Sequence, residues 1–182
     1  MKSTGVVRRI DSLGRVVLPK EIRKTLKLNS GDLLQIFVEK EKIVFEKYSP
    51  LSTFDRTTAS VLNSVYSVLR LSAIITDKKS VISAVGNAGY LNGKSLSESF
   101  ISIIENKSSF IINYKDGAPI KKITETEDES EFISQIIVPV LDNENTAIGS
   151  VVILGENKNA ELSLKELDLA NLASKILTAD VD

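Results

Sequence analysis

The feature that most restricts how this chain can fold is a break near Ser49-Pro50. Before it, residues 1–50 hold eleven Lys/Arg against six Asp/Glu, a balance of +5. After it, residues 51–182 hold twelve against eighteen, a balance of −6. The near-neutral whole, −1 over 182 residues, therefore conceals two modules of opposite sign. The first is too short for a comfortable core of its own, because domains of roughly 50 residues bury little surface and commonly need disulfides, metal or a partner chain. The chain has no Cys and no His, so neither a disulfide nor a thiolate or imidazole metal site can supply that stability. Homodimerisation is the remaining route, and it would also cover short strands otherwise left as open edges.

The same two absences remove the commonest general base and the commonest metal ligand. They weigh against an enzyme, and no metal or cofactor is expected. The apolar fraction of 42% is that of a globular protein. The opening Met-Lys-Ser-Thr-Gly-Val-Val-Arg-Arg meets charge before any signal-peptide core can form. No stretch approaches the ~20 apolar residues of a membrane helix. A cytoplasmic protein with no membrane partner is the expectation.

Along the first module, Thr4–Ile10 and Arg15–Leu18 read as strands around the turn Asp11-Ser12-Leu13-Gly14, where Asp can cap its own backbone and Gly tolerates positive φ. Pro19 suits the first position of a short helix over Lys20–Leu26. Leu33–Val38 and Ile43–Tyr48 form a hairpin around Glu39-Lys40-Glu41-Lys42. The cations cluster at Arg8, Arg9, Arg15, Lys20, Arg23, Lys24 and Lys27. A concentrated basic surface suits a polyanion, since neutralised phosphates release condensed counterions. Few Asn or Gln side chains accompany the cluster, which directs discrimination toward DNA shape and deformability.

Beyond the break, Ser52 and Asp55 have the spacing of a capping box. Phe54, Thr58, Val61, Val65 and Val68 follow in a helical stripe that Leu62 and Leu69 widen. That helix could pack on its own domain or on a partner helix. Then come strands at Ala73–Thr76 and Ser80–Val85, and a helix opened by Ser95 and Glu98 with Leu96, Phe100 and Ile103 on one face. Strands at Phe110–Tyr114, Ile120–Thr124, Gln135–Leu141 and Ala147–Leu154 follow. Ser163 and Glu166 open a last helix whose Leu169, Leu172, Ala173, Ile176 and Leu177 are expected to face the core. The pattern is α+β, an antiparallel sheet with flanking helices.

The strings G-V-V-R-R-I-D, L-G-R-V-V-L-P-K-E-I-R and G-D-L-L-Q-I-F-V cover nearly all of residues 1–50. Together they resemble the swapped-hairpin DNA-binding domain of the AbrB family. The resemblance implies an intertwined homodimer in which each chain's hairpin completes the other's β-barrel. It also implies contacts to double-stranded DNA from Arg8, Arg9, Arg15 and Arg23, with Lys24 continuing the charge but lacking the planar fork of arginine. The two-module layout, with the stretch Y-L-N-G-K-S-L-S-E, resembles the stage V sporulation protein T family, in which a GAF-like sensory domain follows. The domains expected on this basis are 1–50 for DNA binding, 51–71 as a connecting helix and 72–182 as the GAF-like sensory or oligomerisation domain. The string N-K…F-x-x-x-D-E that cyclic-nucleotide binding would require is not present in order, and attachment of a chromophore through cysteine is impossible.

Two other motifs point elsewhere. Ala88-Gly89-Tyr90-Leu91-Asn92-Gly93-Lys94-Ser95 nearly matches a phosphate-binding loop, with Asp142 as a conceivable magnesium-side carboxylate. Such ATPases need a parallel sheet, whereas the Asn-rich hairpin implies antiparallel strands and Pro139 is awkward in a central one. A weaker version has this loop bind a small anion at a helix N-terminus. The acidic run Glu125–Glu131 reads as a solvated loop rather than a metal site. The expected function is that of a sporulation-associated transcription regulator acting as a homodimer or homotetramer, its C-terminal domain sensing a small molecule. An antitoxin of the swapped-hairpin type is the alternative.

Overall fold

The computed structural model describes residues 5–26, 28–53, 55–125, 132–156 and 161–179. The chain divides into two compact units, Met1–Tyr48 and Ser49–Asp182.

In the first unit, helix α1 (Lys20–Thr25) precedes an antiparallel hairpin of β1 (Leu34–Glu39) and β2 (Lys42–Lys47). The hairpin closes between Glu39 and Lys42, with Lys40 at φ 53°. Pro19 is the N-cap of α1 rather than its first helical residue, and its carbonyl accepts the Arg23 N–H at 3.0 Å. Of the segments read as strands on either side of Asp11–Gly14, the described residues 5–10 and 15–18 form no ladder within the single chain. Strand character needs a pairing partner, and the local hydrogen bonds are instead those of the turn: Asp11 N–H to Arg15 O and Gly14 N–H to Asp11 O, both 3.0 Å. Among the described residues of this unit only Pro19 is buried.

The second unit opens with α2 (Pro50–Thr53) and α3 (Asp55–Leu69). A five-stranded antiparallel sheet follows, in the order β4-β3-β7-β6-β5. Its strands are β3 (Ser72–Thr76), β4 (Val81–Val85), β5 (Phe110–Ile112), β6 (Ser134–Leu141) and β7 (Ala147–Gly155). Helix α4 (Glu98–Glu105) lies between β4 and β5, and α5 (Leu164–Ala179) closes the chain. The central strands are covered on both faces, so they read as continuous apolar runs rather than as alternation. All nine residues of β7 are buried. Val151 and Ile153 join Ala73, Ile75, Ile136 and Val138 in a core under α3 and α5. Val152 and Leu154 point the other way, into a core with Ile74, Phe100, Ile104, Ile123 and Phe132.

Side-chain hydroxyls stitch α5 to β6. Ser174 Oγ donates to Pro139 O at 2.8 Å, and Thr178 Oγ1 donates to Leu141 O at 2.7 Å. Pro139 stands opposite Ser150 of β7 and beyond Gln135–Ile137, the stretch that β5 pairs among the described residues, so on the β5 side its missing N–H has no described ladder partner to lose.

Several local expectations shift. Ser52 lies inside α2, its hydroxyl donating to Ser49 O, and is not the expected N-cap; Phe54 lies outside the described residues. On α3 the buried positions are Thr58, Leu62 and Val65, while Val68 is exposed. On α5, Ala173 and Leu177 are buried but Leu172 and Ile176 are exposed. The cap of α4 is Ser97 rather than Ser95: its Oγ accepts the Phe100 N–H and donates to Lys122 O. Ser95 and Leu96 instead form bridges to Ser80 and Thr124. Among the described residues, 120–124 make only the bridge from Thr124, and the buried side chain of Gln135 substitutes for a strand by bonding both Lys121 N–H and Lys121 O.

Candidate nucleic-acid interface

The turn after the first arm is organised by one carboxylate. Asp11 Oδ1 accepts the backbone N–H of Leu13 at 2.9 Å and of Arg15 at 2.8 Å. Asp11 Oδ2 accepts the Nε–H of Arg15, also at 2.8 Å. Gly14, at φ 77°, provides the left-handed residue that the reversal requires. The backbone N–H of Arg15, then its side chain, then the Leu13 N–H hold the Asp11 carboxyl below its ordinary value of 3.8. Asp11 and Arg15 thus face each other across the base of the turn, bonded through both backbone and side chain.

Arg8 and Arg9 lie on the exposed arm before this turn, Arg8 donating from Nη1 to Val7 O at 3.0 Å. Arg23 and Lys24 occupy the last turn of α1, both exposed. With Lys20, Leu28 and Asn29 they line one open depression. Lys27 lies outside the described residues. Arg8, Arg9, Lys20, Arg23 and Lys24 have no acidic partner among the described residues, whereas Asp32 is tied to Lys47 at 2.9 Å. The structure therefore gathers three of the cations around α1 and sets Arg15 on the turn. Sequence reading gave Asp11 a role in capping its own backbone but missed its hold on the Arg15 guanidinium. The signal available was an Asp four residues before an Arg across a Gly-containing turn.

In the second unit the loop resembling a phosphate cradle has no free amides at its tip. Gly93 N–H donates to Val81 O at 2.9 Å, Lys94 N–H to Leu91 O at 3.0 Å and Asn92 N–H to Gly89 O at 3.3 Å. The Lys94 ammonium sits 5.0 Å from the centroid of the Tyr90 ring. No helix begins at Ser95, and the N-terminus of α4 is capped by Ser97 with Glu98 in its first turn. Asp142 serves the β6–β7 turn, its Oδ1 accepting the N–H groups of Glu144 and Thr146. Both anion-binding readings of this loop are set aside. Of the acidic run, residues 126–131 lie outside the described residues.

A cavity of about 430 Å³ opens at the edge of the second core, lined among others by Tyr114, Pro119, Ile120, Lys122 and Phe132. No group of acidic side chains able to hold a metal occurs among the described residues, and no helix among them is long and apolar enough to cross a membrane.

Comparison with known proteins agrees with this layout. Residues 51–182 match the family model described as stage V sporulation protein T C-terminal, transcription factor. Residues 7–52 match that of the antidote-toxin recognition protein MazE, a bacterial antitoxin. Stage V sporulation protein T of Bacillus subtilis (strain 168) is 34% identical over 174 residues, covering 93% of this chain and 94% of that protein. The transition state regulatory protein AbrB of the same organism is 55% identical over 53 residues, 29% of this chain and 55% of AbrB. In fold, the chain is similar to the GAF domain of an Acinetobacter phosphoenolpyruvate-protein phosphotransferase, with TM-score 0.56 and 13% identity over 72% of this chain and 87% of that one. An AbrB-like basic module followed by a GAF-fold unit, matched along nearly its whole length, makes this chain a member of the stage V sporulation protein T family of transcription factors.

Proposed function

We propose that the chain regulates transcription by binding double-stranded DNA as a homo-oligomer, with Arg8, Arg9, Arg15, Arg23 and Lys24 as the contacting residues. The observation that carries this reading is the surface of the first unit. Thirteen large apolar side chains among its described residues, from Val6 to Phe45, are exposed in the single chain beside cations of which Arg8, Arg9, Arg23 and Lys24 have no acidic partner among the described residues. Apolar surface on that scale is buried by a second copy, and two copies double a +5 charge on one scaffold. Residues 1–50 form the DNA-binding module, 51–71 the joining helix and 72–182 the sensory domain. The cavity beside Tyr114 and Phe132 supports a small-molecule ligand for that domain. Exposed Val68 on α3, with Leu172 and Ile176 on the α5 packed against it, supports a further contact that would raise a dimer to a tetramer. The protein is cytoplasmic and not an enzyme in this reading.

The antitoxin alternative is less supported. Its family match ends at residue 52, while residues 51–182 carry a regular GAF fold and a transcription-factor match.

Titration of a duplex with wild type and Arg15→Ala at several salt concentrations tests the assignment. Log affinity should fall linearly with log salt, by about 0.9 per phosphate neutralised, and the variant should bind more weakly. Equal affinity in the variant, or no salt dependence, contradicts it.

A further inference from the structure

We propose that Asp11 and Arg15 form one base-reading unit, in which Asp11 positions the guanidinium and Arg15 reads a guanine in the major groove. This rests on the reading of Arg15 as a DNA contact and adds what it contacts and what aims it. A surface built only to attract phosphate gains nothing from a carboxylate 2.8 Å from one of its cations. Asp11 is nevertheless set in the centre of the basic arm, and its two oxygens have separate tasks. Oδ1 closes the turn through the N–H groups of Leu13 and Arg15, while Oδ2 holds Arg15 Nε.

Guanidinium carries five N–H donors in a rigid plane. With Nε–H engaged by Asp11, the N–H groups of Nη1 and Nη2 have no partner among the described residues, and one from each nitrogen faces the far edge. That edge presents parallel donors whose spacing fits O6 and N7 of guanine, the commonest specific contact of arginine with DNA. The Arg15 side chain is 71% exposed, so the fork is open to a groove. An arginine on an exposed turn would otherwise lose much rotamer freedom on binding; a fixed carboxylate reduces that loss and sets the plane of the fork. Direct readout by arginine also supplies the base discrimination for which the cluster has few Asn or Gln residues.

The experiment uses the full chain, since the first unit has almost no core of its own. Duplexes are selected from a randomised library by wild type, Asp11→Asn, Arg15→Lys, the double variant and Arg15→Ala. Asp11→Asn retains an oxygen for the turn, but its amide has no second acceptor for Arg15 Nε. Wild type should select duplexes with a fixed guanine, and replacing that guanine by 7-deazaguanine, which lacks the N7 acceptor, should weaken binding about tenfold. Asp11→Asn and Arg15→Lys should each lose the guanine preference and the 7-deazaguanine penalty, and the double variant should be no worse than Arg15→Lys. Asp11→Asn that keeps the same guanine and the same penalty overturns the proposal. So does Asp11→Asn that weakens every duplex equally, which would assign the fork to phosphate. Arg15→Ala with unchanged affinity and selected sequence overturns the DNA-contact reading of Arg15 beneath it.

Discussion

The side-chain amide of Asn113 is paired twice with the backbone of Leu162, donating from Nδ2 to Leu162 O at 2.9 Å and accepting the Leu162 N–H through Oδ1 at 2.8 Å. This clamp fixes the end of β5 to the segment that leads into α5. It also anchors the turn beginning at Tyr114, on the rim of the cavity. Asn113 is nearly buried and Leu162 is fully within the first core. Asn113→Ala leaves a buried donor and a buried acceptor unpaired, so the second unit should lose about 2–3 kcal/mol of stability. Urea unfolding of wild type and variant measures it; a difference under about 0.5 kcal/mol contradicts the clamp's role.

Gly149 in β7 lies against another strand's backbone. A Cβ there would sit 2.0 Å from Thr76 O and 2.6 Å from Leu51 Cδ1. Backbone cannot yield as a side chain can, so Gly149→Ala should destabilise by more than about 3 kcal/mol or prevent soluble expression. Gly89→Ala, where nothing lies within 4 Å of the added Cβ, should express and melt like wild type. Comparable melting of the two variants would refute the close packing of β7 on β3.

At the start of α5, Ser163 donates from both its backbone N–H and its hydroxyl to Glu166 Oε2, at 2.8 and 2.6 Å. Partial burial raises the Glu166 carboxyl, but the Ser163 hydroxyl and N–H, together with Lys165, outweigh it and leave the group below its ordinary value of 4.5. A depressed carboxyl stabilises the fold above its unfolded value, and that contribution is lost as pH falls through the folded one. Glu166→Gln should therefore be less stable than wild type near neutrality, by about 0.5 kcal/mol for a solvent-screened helix-terminal charge, with the gap closing below pH 4.5. Paired thermal melts across pH check this; a gap that widens in acid contradicts it.

What the sequence disclosed and what it concealed follow from how each element is stabilised. β6 and β7 were legible because Ile136-Ile137-Val138 and Val151-Val152-Ile153 are continuous apolar runs around the turn-forming Asp142-Asn143-Glu144-Asn145. The cations of the first unit were legible because charge is visible in one dimension. Asn113 and Gln135 were not, since a single polar side chain that replaces a strand's hydrogen bonds leaves no periodic trace. Leu172 and Ile176 continue the apolar rhythm of α5 yet lie outside its buried face, because periodicity shows which residues are apolar but not how much of the helix a neighbour covers. The arm before Asp11 has strand-like residues that form no ladder among the described residues, because alternation marks a strand-forming segment without saying what it pairs with.

The central claim, that a basic unit lacking a core grips DNA as part of an oligomer, is tested most directly by native mass spectrometry of the full chain with a duplex selected from a randomised library. The account predicts complexes holding two or four chains per duplex. The triple variant Arg8→Ala/Arg15→Ala/Arg23→Ala should keep the oligomer and lose the duplex. A single chain bound to DNA, or a triple variant that retains the duplex as wild type does, would contradict it.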